Sequence, residues 1–518
     1  MDDTGYNLIH RWNVGDALRR VARRQPGTKA LVFGDQSYTY AELDELVDKV
    51  ANAMIALGAT PGSGVAIYAP NSPLYLAAFF AAGRIGSPLV PINALLRGAE
   101  VTYAIAKSRA SVLLAHSALV PALETGADAI KGLVGKACLD TAVEGFGSFA
   151  EMVSAAPGTP VEVPVDGDDP AVILMTSGTT AFPKAVVNTH LNFYAALISG
   201  MLDLGVNKGE VMLLGLPLFH VGGLYLLFAG IATGATMVLL PRLDPGEALR
   251  SIAAERVTYI SFPATVWIGM LGHPDRPAAD LSTVATCLVF QYMPAETFEA
   301  WMAAMPQADW INYWGQTETT ALGASTLRGE LTSLLGSPDP IGAAHAILEV
   351  RIVDEEMREL PAGRTGELVV RGPAVTPGYL DDDDANQQLF AGGWHHTGDM
   401  GYRDPESGAI YFVDRKKDII KTGGENVSSQ EVEDVISRHP GVAEVAVVGT
   451  PDPYWVEAVT AFVVPRAGAD LSPDDVVAFA KERMAGFKAP KRVVVLAELP
   501  KNPTGKILKR VLRESAPD

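Results

Sequence analysis

The sequence predicts an α/β fold in which a large N-terminal domain is followed by a small C-terminal domain. Up to Val289, apolar β-rich runs alternate with helix-like segments, a pattern typical of parallel sheets covered by helices. From about Ile347, short alternating strands separated by Gly, Pro and Asp turns indicate a small β-rich subdomain. After Arg415 the pattern becomes mixed α and β again. We therefore expect an N-terminal domain of residues 1–415 and a C-terminal domain of residues 416–518.

The apolar runs can be assigned in chain order from their length and from the residues that bound them. Strands are expected at Ala30–Phe33, Gly64–Tyr68, Ser87–Pro91, Ser111–Leu114, Met212–Gly215, Thr236–Leu240, Thr258–Phe262, Thr286–Val289 and Glu444–Gly449. Helices are expected at Tyr40–Leu57, Tyr75–Arg84, Leu224–Ile231 and Ser429–Ser437. A last helix is expected to run to about Met484, because Ser472 is a favourable N-cap and Pro473 suits the first helical position.

The composition excludes several classes of protein. The chain has 518 residues, of which 48% are hydrophobic and 19% charged, an ordinary globular mixture. Lys and Arg number 41 and Asp and Glu 60, so the net charge is −19. This charge argues against a protein that wraps duplex nucleic acid, because such proteins need a basic face. With only Cys138 and Cys287, neither a disulfide framework nor a cysteine-rich metal site is expected, and a reducing cytoplasm fits best.

Neither a secretory signal nor a membrane span is expected. The first residues carry acidic side chains and lack an apolar core segment. From Val211 to Pro241 there is no Asp, Glu, Lys or Arg, and this stretch is long enough to cross a bilayer. It contains Pro217 and the Gly222-Gly223 pair, and its pattern changes midway from helix to strand. We therefore interpret it as buried core.

A small-residue loop after one apolar strand carries the groups that a polyphosphate requires. The strand Val172–Met175 leads into a run of hydroxyl and glycine residues, followed by a lysine: Thr176, Ser177, Gly178, Thr179, Thr180 and then Lys184. Hydroxyls, backbone N–H groups and one lysine offer many donors, close approach and positive charge. The GK[ST] ending of a Walker A loop is absent. Taken alone, the segment is compatible with a phosphate site or with an ordinary Ser/Thr-rich surface turn.

The segment Trp310–Thr320 places aromatic, hydroxyl and carboxylate side chains together. Tyr313 and Trp314 offer flat faces for a purine, Thr317 a hydroxyl for a phosphate oxygen, and Glu318 a carboxylate for Mg²⁺. The alternative is a core aromatic pair at the end of a strand.

Three further segments carry candidate residues, each with a structural alternative. Asp399 follows a glycine in GGWHHTGDM, where it is placed to accept two ribose hydroxyls or to close a β-turn. The stretch Val413–Glu433 combines a charged joint, a Gly-Gly loop and a helix. Lys506 lies on a Pro/Gly-rich tail, where most lysines are ordinary surface residues.

In this order and spacing, the motifs resemble those of the adenylate-forming superfamily of acyl-CoA synthetases, adenylation domains and luciferases. The series is TSGTT-x-x-PK, LPLFH, YWGQTE, GWHHTGD, DRKKDIIKTGGEN and PTGK, and the resemblance extends from Ser37 to Lys506. The TGGEN form and the length are most similar to the acyl- or aryl-CoA ligase branch.

The resemblance implies that an acid attacks the α-phosphate of Mg·ATP, giving an acyl adenylate and pyrophosphate, and that CoA then displaces AMP. It assigns the Thr176–Thr180 loop and Lys184 to the β- and γ-phosphates, Tyr313 and Trp314 to the adenine, Thr317 to the α-phosphate, Glu318 to Mg²⁺, Asp399 and Arg415 to the ribose, and His220, Phe290, Gln291 and Gly315 to the acid pocket. Lys506 is expected to bridge the acid oxygen and the α-phosphate and to offset the charge that develops in the transition state.

The resemblance also implies that the C-terminal domain is a mobile α+β domain on a hinge. Family enzymes rotate this domain between two half-reactions about a residue that corresponds to Lys417. The rotation withdraws Lys506 and brings a CoA-side loop, here Gly423, Gly424 and Glu425, to the site. Movement of a hinge between two ligand-selected states is a common form of conformational change.

Two places depart from the family pattern. Ala181 and Ala185 stand where glycine is usual; alanine is strained wherever φ is positive, and the added methyl groups would crowd the pyrophosphate. Val289-Phe290-Gln291-Tyr292 stands where two glycines, an alanine and a proline are usual. These side chains add volume to one wall of the acid pocket. The result is either a reshaped wall with a compensating shift or a shortened pocket for a small or unusual acid.

Three functions are compatible with these residues. The first is an ATP- and Mg²⁺-dependent acid–CoA ligase acting on a small, aromatic or medium carboxylic acid, as a monomer or homodimer without a nucleic-acid partner. The alternative is a CoA-independent enzyme that activates a small non-acyl acid such as nitrite for diazotisation of an aromatic amine. The third is a nucleotide-binding protein whose catalysis is weakened by Ala181 and Ala185.

Overall fold

The computed structural model describes residues 9–126, 130–176, 183–290, 293, 295–331, 339–422, 425–452, 454–501 and 507–515. Strands in this part of the chain are β1 Lys29–Phe33, β2 Gln36–Thr39, β3 Gly64–Tyr68, β4 Leu89–Pro91, β5 Ala110–Ala115, β6 Gly135–Cys138, β7 Gly147–Ser148, β8 Pro170–Thr176, β9 Lys184–Thr189, β10 Val211–Leu214, β11 Thr236–Leu239, β12 Tyr259–Pro263, β13 Thr286–Phe290, β14 Asp309–Gly315, β15 Gly323–Ser325, β16 Asp339–Ala344, β17 Glu349–Val353, β18 Gly366–Arg371, β19 Gly378–Tyr379, β20 His395–Arg403, β21 Ile410–Arg415, β22 Ile420–Thr422, β23 Glu425–Val427, β24 Val442–Asp452, β25 Val456–Pro465 and β26 Arg492–Val495.

Helices alternate with these strands through most of the chain. They are α1 Val14–Arg24, α2 Tyr40–Ala56, α3 Pro73–Ile85, α4 Ala99–Lys107, α5 Phe149–Ala155, α6 His190–Leu202, α7 Val221–Thr233, α8 Pro245–Glu255, α9 Ala264–Leu271, α10 Ala295–Ala304, α11 Asp383–Leu389, α12 Ser429–Ser437, α13 Pro473–Lys481 and α14 Lys509–Glu514. Short 3₁₀ helices occur at Ser117–Gly126, Arg276–Ala278, Thr317–Thr319 and Ala391–Gly393.

The described residues form two compact units. The first comprises those within Met1–Ser333, Gly342–Val350 and Val370–His395, and the second those within Leu334–Ile341, Arg351–Val369 and His396–Asp518. The expected boundary between residues 415 and 416 marks where the mobile C-terminal segment is predicted to begin, and it stays a prediction.

Two mixed sheets build the first unit. In one, the order is β2-β1-β11-β10-β12-β13-β14-β15; its inner strands are parallel, and the outer pairs β1–β2 and β14–β15 are antiparallel. In the other, the order is β19-β9-β8-β4-β3-β5-β6-β7, with β8, β9 and β19 joined antiparallel. The predicted α/β class with parallel sheets is thereby confirmed. The carboxyl ends of the parallel strands and the β8–β9 hairpin carry most of the predicted site residues.

The second unit contains shorter, mainly antiparallel strands. One set has the order β17-β18-β20-β21-β16, and another has the order β23-β22-β25-β24 with β26 parallel to β25. Helices α12 and α13 pack with the second set, whose core includes Val432, Ile436, Val447 and Val459. The β-rich texture predicted after Ile347 and the mixed texture predicted after Arg415 are both confirmed.

The structure confirms the predicted strands and helices, and it corrects some of their ends. Strand β3 and helix α12 begin and end as expected, whereas α7 is longer at both ends. Ser472 caps α13 as predicted, accepting a hydrogen bond from the backbone N–H of Asp475. The expectation that α13 runs to Met484 was wrong: the helix ends at Lys481, and the Arg483 N–H bonds to the Ala480 carbonyl three residues back, in place of the four-residue spacing of the helical ladder.

The uncharged stretch from Val211 to Pro241 divides into β10, α7 and β11, as predicted, and residues 223–231 of α7 are buried. Among the described residues, none of the helices combines the length and the apolar character needed to cross a membrane.

Helices α1 and α3 pack at a pair of glycines and enclose a buried arginine. A Cβ on Gly15 would come within 2.4 Å of the Phe80 carbonyl, and one on Gly83 within 2.8 Å of the Gly15 nitrogen. Arg84 has no solvent-exposed surface, and its guanidinium donates to Asp48 Oδ1 at 2.7 Å, to the Asp44 carboxylate and to the Gly15 carbonyl at 3.3 Å. Because buried charges are stable only when paired, Arg84 joins α3 to the carboxylates of α2 and to the backbone of α1.

Replacing Arg84 with Met is expected to lower the free energy of unfolding of the first unit by roughly 1.5–3 kcal/mol, because Asp44 and Asp48 lose a buried donor but keep their contacts with Arg19. Urea denaturation measures the change. The control is Lys208→Met, at an exposed position of the first unit, for which a change within about 0.5 kcal/mol is expected. Equal stability of the two variants would contradict a structural role of the Arg84 network.

Candidate active site

The predicted phosphate loop lies at the end of the β8–β9 hairpin. Thr176 is the last residue of β8 and Lys184 the first of β9, and the two are register partners. Ser177, Gly178, Thr179, Thr180 and Ala181 lie outside the described residues. The Tyr103 hydroxyl donates a hydrogen bond to the Pro183 carbonyl at 3.2 Å. This bond anchors the chain immediately before Lys184.

Lys184, Tyr379 and Glu318 form a connected cluster in the first unit. The Lys184 ammonium lies 4.6 Å from the centroid of the Tyr379 ring, within the range of a cation–π contact. The Tyr379 hydroxyl donates a hydrogen bond to Glu318 Oε1 at 3.0 Å. Burial and the neighbouring Glu318 charge raise the pKa of Tyr379 well above its ordinary value, so the hydroxyl keeps its proton. The structure therefore brings the candidate phosphate and Mg²⁺ residues together through a tyrosine.

The turn that carries Thr317 and Glu318 is held from two other segments. Asn188 on β9 donates to the Thr317 carbonyl at 3.0 Å and to the Thr320 hydroxyl at 3.1 Å. The Thr320 hydroxyl donates to the Ala374 carbonyl at 2.8 Å. The Thr376 N–H donates to the Glu318 carbonyl at 2.7 Å. Side-chain and backbone bonds thus fix the turn on both sides.

Gly315 is required by a close backbone approach. A Cβ at this position would lie 2.2 Å from the Ala321 carbonyl oxygen, so no other residue fits without a shift. A Cβ on Gly323, its partner across β14 and β15, would lie 2.5 Å from the Trp314 ring. Trp314 is 9% exposed and its indole rests on the Gly323 backbone. Its assignment to the adenine remains a prediction.

Tyr313 and Trp314 point to opposite faces of β14, since side chains alternate along a strand. The Tyr313 ring packs edge-to-face with Phe290 at the end of β13, with centroids 5.5 Å apart. Burial raises the pKa of Tyr313 to about 12. Phe290 is half-buried and Tyr313 is 6% exposed. The two aromatics therefore form one side-chain pair, and only Phe290 retains appreciable exposure. Gln291 lies outside the described residues.

His220 is exposed and immediately precedes α7, and its ring lies 4.8 Å from that of Phe219. The loop before it is held by buried Asn71, whose amide donates to the carbonyls of Leu216 and Leu240, both at 3.0 Å, and whose Oδ1 accepts from the Leu218 N–H at 2.8 Å. Asn71 thus sets the backbone that presents His220.

Alanine at position 185 does not cause the backbone strain that a positive φ would impose. Ala185 is an extended residue of β9 paired with Met175, and it is absent from the residues with positive φ. Its side chain is fully buried in a hydrophobic cluster that includes Ile173. The methyl group therefore belongs to the core, and no φ-related strain is attached to it. Ala181 lies outside the described residues.

The second unit contains a carboxylate–guanidinium pair at the predicted ribose position. Asp399 and Arg415 are register partners on β20 and β21, and Arg415 Nε lies 2.7 Å from Asp399 Oδ1. Asp399 is fully buried, whereas the Arg415 side chain is 42% exposed. Beside them, burial opposes the ionisation of Glu367, but Lys416 at 3.0 Å and His396 at 3.4 Å lower its pKa overall.

The predicted hinge region has defined hydrogen bonds. The Lys417 carbonyl accepts from Arg513 at 3.3 Å, and Arg513 also pairs with Asp418 at 2.5 Å. Buried Asp414 accepts from the backbone N–H and the hydroxyl of Ser429, both at 2.7 Å, and so caps the start of α12. Glu425 is exposed at the start of β23. Gly423, Gly424 and Lys506 lie outside the described residues.

Several residues of the site were not found from the sequence. Tyr379, Asn188 and Asn71 act through hydrogen bonds to segments more than sixty residues away, and such contacts leave no local pattern. The only available signal was chemical: an Asn in an apolar strand, as at Asn188, must find partners when it is buried.

These elements match a known family. The AMP-binding enzyme family matches residues 18–380, and the AMP-binding enzyme C-terminal domain matches residues 431–506. A feruloyl-CoA synthase from an Amycolatopsis species is 34% identical over 500 residues, which cover 95% of this chain and 97% of the relative. A long-chain-fatty-acid–CoA ligase from Mycobacterium tuberculosis is 32% identical over 514 residues, covering 97% and 98%. The solved structure of an anthranilate CoA ligase, AuaEII, with anthranoyl-AMP superposes with a TM-score of 0.88 at 27% identity, covering 97% of both chains.

The fold and the matched families define an adenylate-forming ligase. The chain belongs to the AMP-binding enzyme family, within its acyl- and aryl-CoA synthetase branch. The nitrite-activating alternative draws no support from these relatives.

Tyr379→Phe separates the two contacts of the cluster, because it keeps the ring beneath Lys184 and removes the hydroxyl from Glu318. We expect the KM for Mg·ATP to rise about tenfold, since a hydrogen bond to a charged group is worth roughly 1.5 kcal/mol. Initial rates at varied Mg·ATP measure the change. Tyr38→Phe is the control, because its hydroxyl bonds to Gln36 on the exposed surface, away from the cluster. An unchanged KM in Tyr379→Phe would show that the hydroxyl does not position Glu318 for ATP.

Proposed function

We propose that the protein couples ATP cleavage to the formation of a CoA thioester from a small, aromatic or medium carboxylic acid. The observation that carries this proposal is the contact series from Lys184 through Tyr379 to Glu318. It joins a cation, a hydrogen-bond donor and a carboxylate at the mouth of the β8–β9 hairpin. A cation beside a metal-binding carboxylate is the arrangement that a nucleoside triphosphate with Mg²⁺ requires.

The residues present fit ATP and Mg²⁺. In the described part of the chain, the Lys184 ammonium contacts an aromatic ring and pairs with no carboxylate, so its charge is available to phosphate oxygens. Glu318 would hold Mg²⁺, which neutralises phosphate charge when bound. Mg²⁺ is commonly held by one or two carboxylates together with substrate phosphates, and the described residues contain no cluster of three or more metal-ligating side chains.

The chemistry balances in two steps. In the first, a carboxylate oxygen of the acid forms a bond to the α-phosphorus, and the bond to pyrophosphate breaks. In the second, the CoA sulfur forms a bond to the acyl carbon, AMP leaves, and the thiol proton is lost to solvent. Thr317 would contact the α-phosphate. Lys506 would offset the negative charge that grows on the oxygens around phosphorus.

The C-terminal segment 416–518 is proposed to serve both steps by turning about Lys417. Lys506 would act in the first step and the loop at Gly423, Gly424 and Glu425 in the second. Asp399 and Arg415 would hold the ribose; the pair observed between them fixes the Asp399 carboxylate in a defined orientation. A cytoplasmic location and the oligomeric state stay predictions.

We propose that Phe290 limits the size of the acid that the pocket accepts. Its ring stands at the carboxyl end of β13 against Tyr313, and it belongs to the run of four larger residues that replaces the usual small-residue wall. An aromatic wall favours a flat acid through edge-to-face contact. The feruloyl-CoA and anthranilate CoA relatives support an aromatic acid, and the long-chain-fatty-acid relative supports an acyl chain.

The proposal is tested by pyrophosphate release from Mg·ATP across a panel of benzoates, cinnamates and fatty acids, each with and without CoA. A CoA thioester detected by mass spectrometry together with acid-dependent pyrophosphate release is the expected result. Release driven by nitrite in the absence of CoA, or no release with any acid although ATP binds, would contradict it.

Lys506→Ala is expected to abolish acid-dependent pyrophosphate release, because the transition state loses its cation, and to leave thioester formation from a supplied acyl adenylate nearly unchanged. Each half-reaction is assayed separately. The control is Lys501→Ala, whose ammonium pairs with Glu444, and which should retain both steps. Equal loss of both half-reactions in Lys506→Ala would overturn the assigned role.

Phe290→Ala is expected to shift the preferred acid toward longer or bulkier members of the panel, since it removes a ring from the proposed wall. The ratio of kcat/KM for the bulkier acid to that for the smaller acid should rise at least tenfold. Phe298→Leu, in the buried core beside Trp310, is the control for a general loss of core packing. An unchanged ratio in Phe290→Ala would exclude Phe290 from the acid pocket.

A further inference from the structure

A second concave site lies in the first unit among α1, α6 and α7. It has a volume of about 490 Å³ and is lined by Arg20, Arg23, Arg24, Tyr194, Leu197 and Ala232. None of the residues assigned to ATP, the acid or CoA lines it. Its combination of three guanidinium groups with an apolar floor requires an explanation separate from the ligase chemistry.

The three arginines stand on one face of α1, because their spacing of i, i+3 and i+4 follows the helical repeat. All three are exposed. Neighbouring Arg11 and Arg19 pair with Asp16 and Asp48. No such partner reaches Arg20, Arg23 or Arg24 within the described ranges, and Arg20 instead donates to the Tyr194 hydroxyl at 2.9 Å.

Helix stabilisation accounts for only part of this cluster. Arg23 and Arg24 occupy the last turn of α1, where a positive charge interacts favourably with the helix dipole. Arg20 is a turn earlier, and it faces the same concave site with its guanidinium 5.8 Å from the Tyr194 ring centroid. Three adjacent cations repel one another although the chain as a whole carries a net charge of −19, and a bound anion would offset that repulsion.

The opposite side of the site is apolar and continues beyond it along α6. On the same helix, Ile198 and Met201 lie one turn after Tyr194 and Leu197, and Leu202 lies one turn after Ile198. The side chains of Ile198, Met201 and Leu202 are 43%, 47% and 67% exposed. An apolar strip that starts in a cationic cleft matches a molecule with an anionic head and an apolar chain.

We propose that this site binds an anionic amphiphile. Arg20, Arg23 and Arg24 hold its phosphate or carboxylate head through the planar donor fork of the guanidinium group. The chain lies on Leu197 and the exposed strip of α6. The same head group occurs on free amphiphiles and on lipids in a bilayer, and the experiment distinguishes these sources. The proposal does not depend on the ligase function.

The soluble arm of the test is calorimetric titration of the full chain with decyl phosphate below its micelle concentration and with inorganic phosphate. Saturable binding of decyl phosphate, at least tenfold tighter than that of inorganic phosphate and weakened by added NaCl, is expected. Arg23→Ala/Arg24→Ala should weaken decyl phosphate binding at least tenfold. Arg364→Ala/Arg466→Ala, at exposed positions elsewhere, should bind as the unaltered chain does.

The bilayer arm is flotation with vesicles of phosphatidylcholine alone or with added phosphatidylglycerol. If the chain floats only with the anionic vesicles, and the double arginine variant does not float, the site is assigned to a lipid. If the chain binds decyl phosphate but does not float, the site is assigned to a free amphiphile. Met201→Ser/Leu202→Ser provides a variant on the other side of the site, and it should weaken decyl phosphate but not inorganic phosphate. Melting temperatures confirm that each variant is folded. The proposal is overturned if neither arm shows binding, or if decyl phosphate and inorganic phosphate bind equally tightly. It is also overturned if the double arginine variant binds decyl phosphate as tightly as the unaltered chain does.

Discussion

The polar turn between β14 and β15 depends on hydrogen bonds from segments far away in the sequence. Its 3₁₀ helix is three residues long and supplies few backbone bonds of its own. Thr320 and Ala321 stand at φ values of 52° and 71°, which cost energy for residues other than glycine. Bonds from Asn188 and from the Thr376 backbone offset that cost. The position of Glu318 is therefore set by β9 and by the segment before β19, and the site exists only in the folded sheet.

This dependence explains which parts of the molecule could be predicted from the sequence. Strands and buried helices follow from apolar periodicity, and the ends of β3 and α12 were predicted without error. The candidate residues follow from motifs, as with Lys184 and Glu318. The contacts between motifs could not be predicted, because a hydrogen bond such as that from Tyr379 to Glu318 joins residues sixty-one positions apart. Local sequence specifies the elements, and the topology of the sheet decides which polar groups meet.

Two groups of cations in the first unit differ in what balances their charge. The Lys184 ammonium faces the Tyr379 ring, a contact that retains the charge while limiting the positions of the side chain. The arginines at the end of α1 face a hydroxyl and an apolar floor. By contrast, Arg84 is buried against two carboxylates of α2 and serves the packing of α3 on α2 and α1. A cation that stays unpaired in an acidic protein is thus a more specific indicator of an anion site than a cation that is paired.

The departures from the family pattern have different consequences because their side chains point in different directions. Ala185 lies on an interior strand with its methyl group in the hydrophobic core, so replacing glycine there adds packing and leaves the phosphate side of β9 unchanged. Phe290 lies where β13 ends, and its half-buried ring meets Tyr313 at the edge of the sheet. Ligands of open α/β sheets bind at the carboxyl ends of the strands. A substitution in the interior of a strand therefore changes stability, whereas one at the strand end changes the shape of the space available to the acid.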